Sequence, residues 1–324
     1  LVDAKLQPSI ISGAGLTSII KEGKIGNAAV GNGDWLIIEA DESDGSVVQY
    51  EPEIGLLLNI DKDHQEIDEL IDLFTVFKNN TRGLFIVNQF NTLTKMLSEN
   101  AQHDFGFEDT QAGYNATDFK QDGFVLHFNM SGQHFEMIAI GRHSVENAAA
   151  AVAVANQIGV SLETCAESLK HYEGIYRRHQ ILGQKNGVWI IDDYAHNPAK
   201  CAASIRACQP LAERVIAWFQ PHGYKPTKFL RNDFVQEISD ALRPQDEIWM
   251  SEIYYVGGTV IKDISANDLV NDIISKGKFA RFVEDRNHLL EALRPELKPG
   301  TVLLLMGARD PSLEKFSSDL FENL

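Results

Sequence analysis

Apolar and polar positions change rhythm twice along the chain. Three continuous apolar runs come first: "DWLIIEA" (34–40), "IGLLLNI" (54–60) and "GLFIVN" (83–88). Runs of that length without alternation predict strands buried on both faces. From 114 to 140, in "YNATDFKQDGFVLHFNMSGQHFEMIAI", apolar and polar residues alternate, with turn signals at Asp122-Gly123 and Ser131-Gly132. That pattern predicts an antiparallel meander. An Ala-rich helix follows over 144–160, stopped by Gly159, and a second over 161–172, opened by Ser161 with Glu163 in its first turn.

From residue 187 the rhythm is regular. "GVWIIDD", "RVIAWFQP", "DEIWMSEIY", "ARFVE" and "TVLLLMG" alternate with stretches of helical length. This is βαβ organisation with a parallel sheet. The change of texture places a domain boundary near Gly174-Ile175-Tyr176, dividing the chain into 1–174 and 175–324. The expected fold is α/β: a central parallel-sheet domain bearing an antiparallel meander, then a Rossmann-like domain. The stretch "WIIDDYAHNP" (189–198) then lies at the carboxyl end of the first strand of the second sheet, where open α/β sheets bind ligands. Pro198 suits a first helical turn. Asp192, Asp193, Tyr194 and His196 are expected to face a cleft.

Composition narrows the classes. The 324 residues are 44% hydrophobic and 23% charged, with a formal net charge of -17. Such a surplus of acid argues against non-specific binding to nucleic acid or an anionic membrane. No apolar run approaches the ~18 residues of a membrane span, and the first residues lack the features of a signal peptide. The three cysteines, Cys165, Cys201 and Cys208, form no C-x-x-C pair. They predict reduced thiols in the cytoplasm, with Cys201 and Cys208 in the core.

Several strand ends carry candidate chemistry. "IIEADESDGS" places Glu39, Asp41, Glu42 and Asp44 after one buried run, and "LLNIDKDHQE" places Asn59, Asp61, Asp63 and His64 after the next. Carboxylates beside an imidazole make an expected Mg²⁺ or Mn²⁺ site, with Glu39 and His64 as its metal residues. "GRHSVEN" puts Arg142, His143 and Asn147 at a helix start suited to a nucleotide, set against an ordinary cap at Ser144. "GIYRRHQ" puts Arg177 and Arg178 at the boundary, where paired arginines suit phosphate.

"EADESDGS", "NIDKDH", "GRHSVENAAAAVAVA", "GIYRRHQILG", "IIDDYAHNPA" and "FQPHGYKPT" occur in that order. Together they resemble the Mur ligases of bacterial peptidoglycan synthesis, most nearly the alanine-adding branch. The resemblance implies an ATP-dependent amide-bond ligase that phosphorylates a UDP-N-acetylmuramate-type carboxylate and joins an amino acid to it. It implies ATP and Mg²⁺ as cofactors, and a UDP-sugar and an amino acid as partners. Glu39 and His64 correspond to metal and catalytic residues. Asn147 corresponds to an adenine contact, and Arg178 to a catalytic phosphate contact with Arg177 beside it. Asp193 corresponds to the ribose carboxylate, while Tyr194 and His196 line the nucleotide side and His196 joins the catalytic group.

The family's Gly-Lys-Thr phosphate loop has no counterpart here, since no G-x-x-G-K-[ST] occurs. The chain is therefore expected to be a central domain lacking that loop plus a C-terminal domain, and inactive alone. Gly223 and Pro226 stand where the alanine-adding branch has arginines, and the tail "GARDPSLEKF" also departs from it. The amino acid added stays open. Alternatives are a ligase that recycles murein peptide and an inactive nucleotide-binding relative.

Overall fold

The structure, a computed structural model, describes residues 1–60, 66–108, 110–255, 257 and 261–324. The chain forms two compact units, Leu1–Glu173 and Gly174–Leu324.

Among the described residues, the first unit contains three sheets. Strand Ser9–Ile11 pairs parallel with Leu36–Ile38 and antiparallel with Ala28–Ala29. The expectation that the run at 34–40 is buried on both faces fails. Leu36 is 54% exposed and Ile37 43%. The helix after the first strand, Thr17–Lys21, has five residues, about 7.5 Å, too short to cover a sheet face. The next two runs behave as predicted. Ile54–Leu57 and Leu84–Val87 pair parallel, and helix Ile67–Asn80 connects them. That helix opens with a capping box between Glu66 and Glu69 and buries Leu70, Phe74 and Phe77. Their spacing of four and three residues makes one stripe, packed with Phe85 and Val87.

The meander is present as Tyr114–Asp122, Val125–Met130 and Gln133–Ile138, joined at one edge by Phe105–Phe107. Ser131 and Gly132 both have positive φ, 50° and 80°, as a two-residue primed turn between Met130 and Gln133 requires. The Ala-rich helix runs Arg142–Gln157, beginning two residues earlier than expected, with Gly141 as its cap. Its small residues Ala148, Ala149 and Ala153 share a core with Phe105, Phe107, Phe128 and Phe135. Alanine lets the helix axis approach a sheet face whose own side chains are large.

The second unit is built on one six-stranded sheet. Its spatial order is Gln180–Lys185, Val188–Asp193, Thr301–Gly307, Arg214–Gln220, Glu247–Met250, Phe279–Phe282. Five strands are parallel, as the alternation predicted. The sixth, Gln180–Lys185, is an antiparallel edge absent from the expected set. The last strand in sequence, Thr301–Gly307, lies between Val188–Asp193 and Arg214–Gln220, the first two of the parallel strands. Its neighbours' carboxyl ends, and the loops that leave them, are thereby drawn to one place.

Candidate functional site

In the second unit the site is assembled at that carboxyl edge. Val188–Asp193 delivers Asp192, Asp193, Tyr194 and His196. Thr301–Gly307 delivers Arg309, and Arg214–Gln220 delivers His222. The His196 and His222 rings lie 5.8 Å apart, and Tyr194 meets His196 edge-on at 5.6 Å. Three non-glycine residues around this edge hold left-handed backbone: Arg177 (φ 53°), His179 (φ 45°) and Arg309 (φ 67°). Each such conformation costs of order 1–3 kcal/mol and persists only where surroundings enforce it.

The two adjacent arginines part company. Arg177 is 7% exposed. Its Nε and Nη2 donate to the two oxygens of Asp192 at 3.1 and 3.3 Å, and Nη2 also donates to the Gly307 carbonyl at 2.8 Å. The Arg177 carbonyl accepts from the Tyr194 N–H at 2.7 Å. This guanidinium therefore ties the first strand to the last instead of lying beside Arg178 as a second phosphate ligand. Burial pushes the Asp192 carboxyl above the ordinary carboxylate range, and the Arg177 charge pulls it back. Asp192 itself is 2% exposed and faces Arg177, not a cleft. Arg178 is exposed; its backbone N–H donates to the Ile175 carbonyl at 3.1 Å, and its guanidinium has no hydrogen-bond or ion-pair partner among the described residues.

Asp193 is buried, and its carboxylate shapes the loop. Oδ1 accepts the Ala195 N–H at 2.6 Å, and Oδ2 accepts the His179 N–H at 2.9 Å. The His179 Nε2 lies 3.3 Å from Oδ2 and 2.9 Å from the Ser204 hydroxyl. His196 is oriented by its own loop. Its Nδ1 lies 2.9 Å from the Tyr194 carbonyl, an acceptor only, so that nitrogen carries the proton. Nε2 is left with its lone pair, as an acceptor directed by the other nitrogen's bond. Asn197 then accepts the Lys200 N–H at 2.8 Å, and Pro198 starts the helix Pro198–Cys208 as anticipated. Cys201 and Cys208 are fully buried in that helix.

His222 and Arg309 were not among the expected site residues. The available signal was position: each follows a buried strand of the same sheet, as His196 does. The His222 Nδ1 is buried without a hydrogen-bond partner among the described residues. Burial lowers the His222 pKa, and the nearby His196 and Arg309 lower it further. Folding is therefore opposed by protonation at this site. The ring's contribution to stability should be complete above about 6.5, the unfolded value, and lost as pH falls below it. Urea unfolding of the parent and of His222→Gln at pH 5.0 and 7.5 checks this; the variant should lose less stability on acidification. Next to it, Gly223 has φ 72° and is buried. A glycine here meets a backbone requirement that an arginine would meet only with strain. Behind the edge, Arg286 binds Gln220 at 2.6 Å and also Asp310, joining the ends of the two central strands.

The first unit holds the other candidates. Glu39 follows Leu36–Ile38 and is exposed. Its Oε2 accepts the Ser12 hydroxyl at 2.9 Å and the Gly13 N–H at 2.8 Å. Oε1 has no hydrogen-bond partner among the described residues. A single carboxylate oxygen, oriented by bonds to the other, fits Mg²⁺, which typically takes one or two carboxylates and completes its shell with water and phosphate. His64 lies outside the described residues, so its placement beside Glu39 is left as an expectation. Asn147 is exposed on the first turns of Arg142–Gln157, and its side-chain amide has no partner among the described residues. Arg142 is engaged by Glu146 at 2.8 Å and lies 4.1 Å over the Phe90 ring.

Comparison with known proteins gives consistent matches. Residues 22–155 match the model of the Mur ligase middle domain, and residues 177–309 match that of the Mur ligase glutamate ligase domain. A UDP-N-acetylmuramate–L-alanine ligase of Geobacter sp. (strain M21) is 34% identical over 94% of this chain and 67% of its own length. One from Nostoc sp. (strain PCC 7120 / SAG 25.82 / UTEX 2576) is 31% identical over 95% of this chain and 64% of its own. The chain thus spans about two thirds of the length of these curated relatives. Among solved structures, UDP-N-acetylmuramate-alanine ligase MurC from Thermotoga maritima aligns with a TM-score of 0.77 at 23% identity, covering 100% of this chain and 70% of that one.

Proposed function

We propose that this chain, which belongs to the Mur ligase family, is the ATP-handling part of a ligase that joins an amino acid to a UDP-N-acetylmuramate-type carboxylate. The observation that carries the reading is the carboxyl edge of the second unit. There the family motif "IIDDYAHNPA" presents an oriented His196 and an exposed Tyr194, in a unit that also exposes Arg178 with a guanidinium unengaged among the described residues. The relatives' printed names supply the substrate class.

In this reading a carboxylate oxygen of the sugar acid attacks the γ-phosphorus of ATP, and the bond to ADP breaks. The amino acid's nitrogen then attacks the acyl carbon. The tetrahedral adduct loses inorganic phosphate and a proton, leaving the amide. Arg178 offers a guanidinium not committed elsewhere, suited to oxygens on which charge develops. Asp193 holds the loop that presents Tyr194 and His196, and the His196 Nε2 accepts a hydrogen bond or a proton. Asn147 offers an amide to the adenine. Bound Mg²⁺ would neutralise charge on the transferring phosphate, with Glu39 as the described residue able to hold it. The buried free thiols Cys165, Cys201 and Cys208 suit a reducing compartment such as the cytoplasm.

The test is phosphate release by the full-length parent, which should require ATP, a UDP-N-acetylmuramate acceptor and L-alanine together. This exact chain should release essentially none, because backbone N–H groups of a phosphate loop are the principal triphosphate grip. A parent indifferent to the UDP-sugar would overturn the reading, and turnover by this chain alone would overturn its dependence on that loop. Gly223, with its positive φ where the alanine-adding branch has arginine, favours a second nucleophile. The same assay with a murein tripeptide in place of L-alanine separates the two.

A further inference from the structure

We infer that the meander of the first unit carries a zinc site, built from His127, His134 and Glu136. It is independent of the ligase reading. Pairing between Val125–Met130 and Gln133–Ile138 sets His127 opposite Glu136 and Asn129 opposite His134. Side chains alternate along strands, so residues 127 and 129, with 134 and 136, occupy one face. One ligand atom from each of His127, His134 and Glu136 lies within 4.8 Å of the others. Zinc at 2.0–2.2 Å from tetrahedral N and O ligands sets those atoms about 3.3 Å apart. Small side-chain rotations at the partly open surface close that gap.

A second observation fixes which imidazole nitrogen is available. The Asn129 Nδ2 donates to Asp118 Oδ2 at 3.0 Å. The amide oxygen of Asn129 therefore turns to His134 Nδ1, at 3.1 Å. Facing an acceptor, Nδ1 carries the proton, which leaves the Nε2 lone pair for a metal. Asp118 sits in left-handed backbone (φ 54°), at the register shift between Thr117 and Lys120. The chain Asp118–Asn129–His134 is the outer-shell arrangement that orients metal-ligating histidines. The His127 and His134 rings lie 5.7 Å apart and nearly parallel, at 16°.

The surroundings suit a dication. His134 and Glu136 form one wall of a cleft of about 340 Å³ whose other lining includes Glu163 and Glu167. Among the described residues, the one Lys or Arg lining the cleft, Lys170, is held to Glu167 at 3.1 Å. Two imidazoles with one carboxylate favour Zn²⁺ over Mg²⁺ or Ca²⁺, and three protein ligands leave a position for water.

The experiment is calorimetric titration of chelator-stripped protein with ZnCl₂, alongside thermal melts with and without zinc. One zinc per chain is expected, with Kd on the order of 1 µM and a raised melting temperature, since the metal binds the folded state. Both effects should vanish in His134→Ala and His127→Ala. Asn129→Ala should weaken binding about tenfold without touching a ligand, and His288→Ala, at an exposed histidine of the second unit, should leave it unchanged. Circular dichroism checks folding. If His127→Ala does not fold, His134→Gln, at an exposed position, replaces it. No saturable binding up to on the order of 100 µM, or binding unaltered by His134→Gln, would overturn the inference.

Discussion

Replacing Asp192 with alanine should cost about 3–5 kcal/mol of folding stability, because it leaves a buried guanidinium without its counter-charge. Arg177 lies under the carboxyl edge and touches Asp192 and the Gly307 carbonyl. No described acidic residue other than Asp192 forms an ion pair with it. The pair differs from a surface bridge, which is worth ~0–1 kcal/mol, because water cannot replace the missing partner. Arg177→Met in the same background should recover part of the loss, since the unpaired charge is then gone. Urea denaturation of the two single variants and the double variant measures the coupling. An Asp192→Ala cost below about 1 kcal/mol would show that the pair does not hold these strands. The burial of Asp192 against Arg177 also corrects the expectation that it faces a cleft. It is more buried than Asp193.

Arg178 should behave in the opposite way. Being exposed and unengaged among the described residues, it can be removed with a stability change inside about 0.5 kcal/mol. In the full-length parent, however, Arg178→Ala should lower kcat by about 10²–10³-fold, or ~2.7–4 kcal/mol, if its charge meets the transferring phosphate. The loss should fall on kcat as well as on kcat/KM, which separates transition-state from ground-state binding. Arg178→Lys should restore only part, because an ammonium lacks the two-pronged geometry of a guanidinium. Steady-state kinetics and melting curves on the same preparations decide the matter. A variant with full kcat, or one whose activity and stability fall together, would assign Arg178 a different role. Asp193→Ala is a less discriminating probe, since it strips the acceptors of the His179 and Ala195 N–H groups and loosens the loop itself.

Much of the architecture is legible in the sequence because local periodicity is what a strand or helix imposes on its residues. Alternation over 114–140 can be satisfied only by a half-buried antiparallel pairing. Continuous apolar runs between helices are best satisfied by a covered parallel sheet, as at 188–193 and 301–307. The same logic located His196 and Asp193 at a strand's carboxyl end, and Pro198 at a helix start. What sequence cannot encode is strand order. Nothing in "TVLLLMG" states that it inserts between "GVWIIDD" and "RVIAWFQP", yet that insertion is what draws Arg309 and His222 toward His196. Nor can it tell apart two adjacent arginines. Identical side chains point to opposite fates because Arg177 holds left-handed backbone and turns inward onto Asp192, while Arg178 faces solvent. The apolar "DWLIIEA" misled for a related reason: its run marks a strand that needs cover, but cover comes from elements distant in sequence. Residue type and spacing determined the elements, the polar residues set at strand ends and, through six ordered motifs, the family. Burial, pairing and proton position were decided by tertiary structure, since desolvation and hydrogen bonding depend on neighbours that the chain brings from far away.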